Sequence, residues 1–267
     1  MKLKKISNIE HRDHIKKIEV DGYTVIPKFL NKEEINHTKT IIKEVEKDFC
    51  ANYSHGRIIF GLETSHKWFL DLADHHDLSK ILMYFINDPH FGTLPSNVPN
   101  YHIGYCLGRT TFNDALATHI DSYVPNQSSF PLIMQTALSI EDQSKNNGNT
   151  YLIPKSHLSG SYPKQDYEYP NTLDLYPKKG DLVIWDSRIW HGTRPNFSDA
   201  TRWSIITTYM RWWIKPRLDA TKNIKNEYYN SLTPRQKALL GFCSIPPHDP
   251  KTRFKTRIGY EELPESI

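Results

Sequence analysis

The spacing of apolar residues divides the chain into a helix-rich part and a strand-rich part. Residues 21–27, Asp-Gly-Tyr-Thr-Val-Ile-Pro, predict a turn that leads into a short strand. A helix capped by Asn31 and extending to Asp48 should follow, because apolar residues recur every three or four positions and Glu34 can complete a capping box. A second helical pattern runs from about Trp68 to Phe85. Both helices are expected to pack against a sheet.

From residue 101 onward the apolar residues occur in short runs rich in β-branched and aromatic side chains. These runs are 101–107, 132–140, 150–153, 181–185 and 202–214. Turn residues separate them, and no amphipathic pattern of ten or more residues falls between them. Parallel crossover units are therefore not expected, and an antiparallel sandwich or barrel is favoured, with the functional interior between two sheets.

The length and composition predict one folded domain. The chain has 267 residues, of which 38% are hydrophobic, and its 15 Tyr, 11 Phe and 6 Trp can build a sizeable core. We expect residues 1–95 to supply the first strand and the packing helices, residues 96–214 to form the core, and residues 215–267 to form a C-terminal extension. A short helix started by Thr233 and Pro234 is predicted inside that extension.

The same composition limits the compartment and the partners. The first twenty residues lack the apolar core of a signal peptide, and no segment approaches the roughly 20 apolar residues that span a bilayer, so a cytoplasmic protein without a membrane partner is expected. Three scattered cysteines indicate no disulfide framework. The net charge of +4 is concentrated near the end, in a basic run at 251–257. Because this run holds a single aromatic residue, it favours a solvated tail over a nucleic-acid site.

One constellation of residues has the spacing of a metal site. His119 and Asp121 lie two positions apart, so in an extended strand both side chains face the same side and can contact one ion. His191 arrives from a different strand. Two histidines and one carboxylate on one face of an ion are the ligand set of non-haem Fe(II) oxygen chemistry. Arg202 opens the next strand, and its guanidinium can pair bidentately with the carboxylate of a dicarboxylate cosubstrate.

Together these segments resemble the phytanoyl-CoA dioxygenase family of Fe(II)- and 2-oxoglutarate-dependent oxygenases. The resemblance extends from Asp21 to about Trp213. It rests on the motifs Asp-Gly-Tyr at 21–23, His-Ile-Asp at 119–121, Asn-Gly-Asn-Thr-Tyr-Leu-Ile-Pro-Lys-Ser-His at 147–157, and Gly-Asp-Leu-Val-Ile-Trp at 180–185 leading to His-Gly-Thr-Arg-Pro-Asn at 191–196. It implies a mostly β fold with flanking helices and a double-stranded β-helix core, which is a cupin-like jelly-roll.

The resemblance also implies roles for individual residues. His119, Asp121 and His191 match the iron ligands of the family. Arg202 and the hydroxyl of Thr193 match the groups that hold the far carboxylate of 2-oxoglutarate, and Gln135 resembles a polar pocket residue near the cosubstrate. Some members add a basic residue from the strand before the His-x-Asp motif. The sequence identifies no counterpart here, although Tyr101 and His102 lie in that region.

The implied reaction consumes O2 and 2-oxoglutarate, hydroxylates a small organic molecule or acyl conjugate, and releases succinate and CO2. Related halogenases have a small residue in place of the carboxylate at position 121, so Asp121 favours hydroxylation. Arg188 and Arg211 suggest an anionic substrate, and Trp190 is a candidate for the wall of its pocket.

Two other functions use the same residues. A cupin-like isomerase or hydrolase could use the same three ligands without 2-oxoglutarate, and it would not need Arg202. A non-catalytic binding protein on this fold is disfavoured, because every expected ligand type is present.

Overall fold

The structure is a computed structural model that describes residues 3, 10–88 and 97–245. The basic run at 251–257 therefore lies outside the described residues. In the part of the chain that is described, no helix is both long enough and apolar enough to cross a membrane.

The helices occupy both ends of the described chain. They are α1 (His11–Asp21), α2 (Lys32–Asp48), α3 (Leu62–Ser65), α4 (Lys67–Ala73), α5 (His76–Ile86), α6 (Ala220–Asn223), α7 (Asn226–Asn230) and α8 (Pro234–Leu239), with short 3-10 turns at Ser156–Leu158 and Phe242–Ser244. The strands are β1 (Tyr23–Ile26), β2 (Ala51–Tyr53), β3 (Gly56–Phe60), β4 (Tyr101–Arg109), β5 (Leu116–His119), β6 (Ile133–Ser139), β7 (Thr150–Ile153), β8 (Leu173–Asp174), β9 (Leu182–Asp186), β10 (Trp190–Thr193) and β11 (Ser204–Arg211).

The strands form two sheets in which neighbours are antiparallel. The larger sheet has the order β1-β9-β6-β11-β4-β3-β2, and the smaller sheet has the order β5-β10-β7-β8. This arrangement confirms the predicted antiparallel architecture. Three strands of the larger sheet, β1 to β3, come from the part of the chain that was expected to supply one strand and packing helices.

Alternation along the central strands separates a helix-facing core from a cavity. In β6, Met134 and Leu138 belong to the large apolar cluster formed with the helices, whereas Gln135 and Ala137 point to the space between the sheets. The pattern repeats in β9, where Ile184 joins the helix-facing cluster and its neighbours face the other way. Because successive side chains of a strand point to opposite faces, the helix layer anchors the sheet while the other face is left to build a site.

The helix predictions were partly confirmed. Asn31 caps α2, since its side chain accepts from the backbone N–H groups of Glu33 and Glu34, and the Glu34 carboxylate accepts from Asn31 N at 2.8 Å. The single helix expected over 68–85 is instead two helices, α4 and α5. The chain breaks between them because the ring of His75 caps α5 by accepting from Asp77 N at 3.3 Å.

Candidate active site

Two neighbouring strands of the smaller sheet bring the histidines of the predicted metal site together. His119 ends β5 and lies directly opposite His191 on β10. Asp121 follows in a bend rather than in the strand, and its backbone N–H donates to Ser187 O at 2.9 Å. The ligand atoms of the three side chains all lie within 4.8 Å of one another. This is a separation that one ion can bridge.

Backbone carbonyls set the protonation of both imidazoles. Nδ1 of His119 lies 2.9 Å from Ala117 O, and Nδ1 of His191 lies 3.0 Å from Ile189 O. Since a carbonyl can only accept, each Nδ1 must carry the proton and each neutral ring has its lone pair on Nε2. Both Nε2 atoms face the carboxylate of Asp121, at 3.6 Å for His119 and 3.1 Å for His191. This is the tautomer that a metal-binding histidine needs.

The electrostatics of the cluster favour a positive charge at its centre. Burial acts to raise the pKa of Asp121, but the two imidazoles outweigh it and hold that pKa far below its usual range. Burial likewise acts to lower the pKa of His119, but the Asp121 carboxylate raises it overall. Oδ2 of Asp121 is buried, and no N–H is aligned with it as a hydrogen bond despite the nearby His191 ring. A divalent cation fits these two lone pairs and one carboxylate.

We call His119, Asp121 and His191 the metal-binding cluster, since they could hold one ion. The cluster lies at one end of a cavity between the two sheets, which we call the inner cavity. The inner cavity is lined by all six residues that were predicted from the sequence to bind iron or 2-oxoglutarate: His119, Asp121, Gln135, His191, Thr193 and Arg202. Apolar side chains such as Leu107, Leu116 and Ile206 complete the lining. The candidate metal site and the candidate carboxylate anchor therefore share one enclosed space.

Arg202 is a buried cation without a carboxylate partner. It is 4% exposed and donates to Asn147 O at 3.2 Å, Gly148 O at 2.5 Å and Ser204 Oγ at 2.7 Å, all of them neutral acceptors. Among the described residues no acidic side chain forms an ion pair with it. Burial, reinforced by the nearby charge of Arg109, lowers the pKa of Arg202 to about 10. The guanidinium still carries its charge at neutral pH, so this end of the inner cavity favours an anion.

A second arginine, not identified from the sequence, joins Arg202. Arg109 ends β4, the strand before the His-x-Asp motif, and lies directly opposite Ser204 of β11. It lines the inner cavity, and its buried Nε and Nη2 atoms have no hydrogen-bond acceptor among the described residues. Arg109 is therefore a basic residue on the strand for which the sequence identified no basic counterpart. Its position as the last residue of a largely apolar strand does not indicate this location from the sequence alone.

Three further polar side chains line the inner cavity. Thr193 Oγ1 accepts from Leu116 N at 3.3 Å, which leaves its hydroxyl proton available to donate. Gln135 is held in place, since its amide donates to Tyr105 Oη at 2.9 Å and its carbonyl accepts from a threonine hydroxyl. Trp185 was not identified from the sequence, and its buried Nε1–H has no acceptor. The cavity thus presents more donors than its own acceptors satisfy.

The structure does not bring the predicted substrate arginines to the inner cavity. Arg188 is buried against Asp186, with Nη2 2.6 Å from Oδ2. Arg211 donates to Pro131 O at 3.1 Å and to Phe85 O at 3.0 Å. We correct the expectation that these two residues bind an anionic substrate, because neither lines the inner cavity and Arg188 is paired with Asp186.

Trp190 is also turned away from the inner cavity. It precedes His191 in β10 and therefore faces the other side of the strand. Its ring packs 4.9 Å from that of Tyr169, and its Nε1 donates to Ser161 O at 3.0 Å. It forms part of an outer aromatic wall, with no contact to the metal-binding cluster.

Comparison with protein families and known proteins identifies the family and similar proteins. A family model described as phytanoyl-CoA dioxygenase matches residues 18–204. Two uncharacterised proteins, Mb1539 of Mycobacterium bovis and Rv1501 of Mycobacterium tuberculosis, are each 26% identical over 106 residues, which is 40% of this chain. The match spans 39% of the length of either relative.

Solved structures of similar fold include HygX and two enzymes from nogalamycin biosynthesis. HygX from Streptomyces hygroscopicus, with nickel and 2-oxoglutarate bound, has a TM-score of 0.63 at 15% identity, covering 79% of this chain and 92% of its own. SnoN, an epimerase in complex with Fe3+, alpha ketoglutarate and nogalamycin RO, has a TM-score of 0.62 at 14% identity, covering 81% and 90%. The carbocyclase SnoK has a TM-score of 0.61 at 16% identity, covering 80% and 89%. These likenesses confirm the jelly-roll fold.

Proposed function

The chain belongs to the phytanoyl-CoA dioxygenase family, and on this premise we propose that it is an Fe(II)- and 2-oxoglutarate-dependent oxygenase that hydroxylates a small molecule. One observation carries the proposal. A single cavity holds a cluster suited to a divalent cation at one end and two arginines without carboxylate partners at the other. A metal ion together with a dicarboxylate cosubstrate would complete both ends.

We assign the residues as follows. His119, Asp121 and His191 would hold Fe(II), and Arg202 would hold the far carboxylate of 2-oxoglutarate with help from the Thr193 hydroxyl. Iron and 2-oxoglutarate supply the activation of O2 that oxidises a C–H bond of the substrate, with release of succinate and CO2. HygX with nickel and 2-oxoglutarate, and SnoN with Fe3+ and alpha ketoglutarate, support this choice of cofactors for the fold.

The protein's own contribution is orientation and exclusion of water. The Nδ1 contacts of His119 and His191 to backbone carbonyls fix both rings with the metal-binding nitrogen inward. The anchor residue Arg202 is held by two backbone carbonyls and the Ser204 hydroxyl, so little side-chain entropy is lost when an anion binds. The apolar part of the lining would limit the water that reaches the reacting centre through the inner cavity.

Hydroxylation is the outcome that we propose among those open to this fold, which also includes an epimerase and a carbocyclase. Asp121 separates this outcome from halogenation. A carboxylate at that position would occupy the coordination site that a halide would need, and it would leave chloride neither a vacancy nor a charge reason to bind.

The cupin-like alternative, a metal enzyme without 2-oxoglutarate, leaves the two buried arginines unexplained. Burying a charge without a partner is costly, and Arg109 has two buried nitrogen atoms with no acceptor at all. A cosubstrate with a carboxylate at that end gives both residues a role.

The test uses purified protein loaded with Fe(II) in the absence of O2. Adding 2-oxoglutarate should produce the visible charge-transfer absorption that arises when its keto and carboxylate oxygens chelate Fe(II). Succinate, which lacks the keto group, is the control and should produce none. Admitting O2 should then convert 2-oxoglutarate to succinate. Fe(II) binding without either response would contradict the proposal and favour the cupin-like alternative.

A further inference from the structure

A second cavity, which we call the outer cavity, opens on the metal-binding cluster from the protein surface. Its volume of about 540 Å3 falls within the range usual for small-molecule sites. Its lining includes His119 and Asp121, and also Tyr123, Tyr162 and Arg217. A substrate entering here would reach the candidate metal ligands directly.

Arg217 is an exposed side chain that lines the outer cavity and contacts aromatic rings rather than an acid. Its guanidinium carbon lies 5.3 Å from the ring centroid of Tyr105 and 5.8 Å from that of Tyr123. Among the described residues it forms no ion pair and no hydrogen bond. Other arginines form ion pairs, as Arg57 does with Glu46 and Arg235 does with Asp74. Both rings lie within cation–π range of the guanidinium, and its N–H donors stay available.

The position of Arg217 links the two cavities. Tyr105, the ring beneath it, lines the inner cavity and accepts the amide N–H of Gln135 through its hydroxyl. Asp121 is the sole acidic residue lining the outer cavity in the described part of the chain, and it belongs to the proposed metal site. Once a metal offsets that carboxylate, the outer cavity is cationic, with tyrosine rings on its walls.

We propose that Arg217 binds an anionic group of the substrate, a carboxylate or a phosphate, while Tyr123 and Tyr162 contact an aromatic or apolar body that extends toward the metal-binding cluster. This inference rests on the proposed function and names its substrate class, a small acid with an apolar body. In this proposal Arg217 is the source of anion selectivity, in place of Arg188 and Arg211, which are engaged elsewhere.

The experiment measures binding by calorimetry to the Ni(II)- and 2-oxoglutarate-loaded protein. The probes are 3-phenylpropionate, 2-phenylethyl phosphate and the neutral isostere 3-phenylpropanamide. We expect at least one anionic probe to bind about tenfold more tightly than the amide, the increment of one charge-assisted hydrogen-bonded contact. Whichever anion binds more tightly distinguishes a carboxylate substrate from a phosphate substrate.

Two variants locate the effect. Arg217→Met keeps a long side chain against the tyrosine rings, and it should remove the preference for anions while leaving amide binding within about twofold. Lys215→Met removes an exposed charge two residues away and should change nothing. The inference is overturned if the amide binds wild-type protein as tightly as both anions, if Arg217→Met keeps the anion preference, or if no probe binds.

Failure of this inference is separable from failure of the proposed function. The same calorimetric titrations give the 2-oxoglutarate affinity of the wild type and of Arg217→Met, which should be equal because Arg217 does not line the inner cavity. Intact 2-oxoglutarate binding without anion preference would overturn the role of Arg217 alone. Absent 2-oxoglutarate binding would refute the proposed function.

Discussion

Buried arginines in two regions of this protein differ in their partners. Arg188, away from the inner cavity, is matched by the Asp186 carboxylate at 2.6 Å. Around the inner cavity, Arg202 has neutral acceptors alone, and two nitrogen atoms of Arg109 have no acceptor among the described residues. An unmatched buried charge costs several kcal/mol. The difference indicates where ligands, rather than the protein, complete the electrostatics.

Within the inner cavity the two ends have opposite needs. The metal end presents one carboxylate and two imidazole lone pairs, which attract a cation, while the arginine end attracts an anion. A substitution at one end should therefore weaken binding at that end and leave binding at the other end unchanged. Substitutions at either end, and in the matched pair of Arg188 and Asp186, test whether the two ends act independently.

The largest effect is expected from His191→Ala, which removes one of three proposed metal ligands. Changing a group that merely supports a ligand costs about 10–100-fold in metal affinity, so losing the ligand itself should cost more. Metal content after dialysis against Ni(II) or Fe(II) measures the effect. His37→Ala, on helix α2, is the control and should bind normally. Retention of stoichiometric metal by His191→Ala would disprove the assignment.

Arg188→Met should instead damage stability. It leaves the buried carboxylate of Asp186 without its cation, and removing one partner of a buried pair costs about 3–5 kcal/mol of unfolding free energy. Urea unfolding gives this value. Arg194→Met breaks the half-exposed pair with Asp174 and should cost about 1 kcal/mol or less. Metal binding by folded Arg188→Met should match the wild type, and a stability loss no greater than that of Arg194→Met would remove the contrast between the two groups of charges.

Arg202→Leu should weaken 2-oxoglutarate binding by about 2–5 kcal/mol while leaving metal binding intact, because a buried charge-assisted pair is lost at the arginine end alone. Calorimetric titration of the Ni(II)-loaded protein with 2-oxoglutarate measures the change. Arg194→Leu, which removes an arginine outside the inner cavity, should leave the affinity as it was. Unaltered affinity in Arg202→Leu would place the anchor at another residue, with Arg109 the first candidate.

Glu63 is a buried carboxylate outside the inner cavity, and no cation of the described residues forms an ion pair with it. It accepts from Cys106 N at 3.1 Å, and burial raises its pKa from 4.5 to about 7. The folded state thus holds this proton more tightly than the unfolded chain, so the stability that it contributes is full below pH 4.5 and declines as the pH rises to about 7. Glu63→Gln should remove that decline and be more stable than the wild type at pH 8, by up to about 3 kcal/mol.

Urea unfolding of the wild type and of Glu63→Gln at pH 5 and pH 8 checks this. The exposed Glu227→Gln is the control and should show the same pH dependence as the wild type. An advantage for Glu63→Gln that is equal at both pH values would mean that Glu63 is not the titrating group.

The strands of the core could be predicted from the sequence because both of their faces carry a signal. The predicted run at 132–140, bounded by turn residues, places β6 within a residue of its observed limits, Ile133–Ser139, where every residue is buried. Helix α1 was missed because Ile18 is its single fully buried residue and no apolar stripe forms. Strand β2 was missed for a similar reason, since Ala51–Tyr53 has no buried residue.

The site divides in the same way. His119 and Asp121 were found because their chemistry lies in local spacing, and Arg202 because it follows the second histidine strand. Arg109 and Arg217 have no local signature. Arg109 reaches the inner cavity through the pairing of β4 with β11, and Arg217 reaches the outer cavity through its contacts with two tyrosine rings. Such neighbours are properties of the tertiary structure and are not visible in one sequence.

The smallest effect should come from Thr193→Val, which separates a neutral hydrogen bond from the charge at the same end of the inner cavity. Because Thr193 Oγ1 already accepts from Leu116 N, its hydroxyl proton is the group left to donate to a carboxylate. Valine keeps the shape but removes both the acceptor for Leu116 N and the proposed donor to the carboxylate. The second bond is worth about 0.5–1.5 kcal/mol, so 2-oxoglutarate affinity should fall by about 2- to 12-fold. Thr193→Ser keeps the hydroxyl and should stay within about twofold of the wild type. Calorimetry on Ni(II)-loaded protein measures both, and equal losses in the two variants would show that packing, rather than the hydroxyl, is what Thr193 contributes.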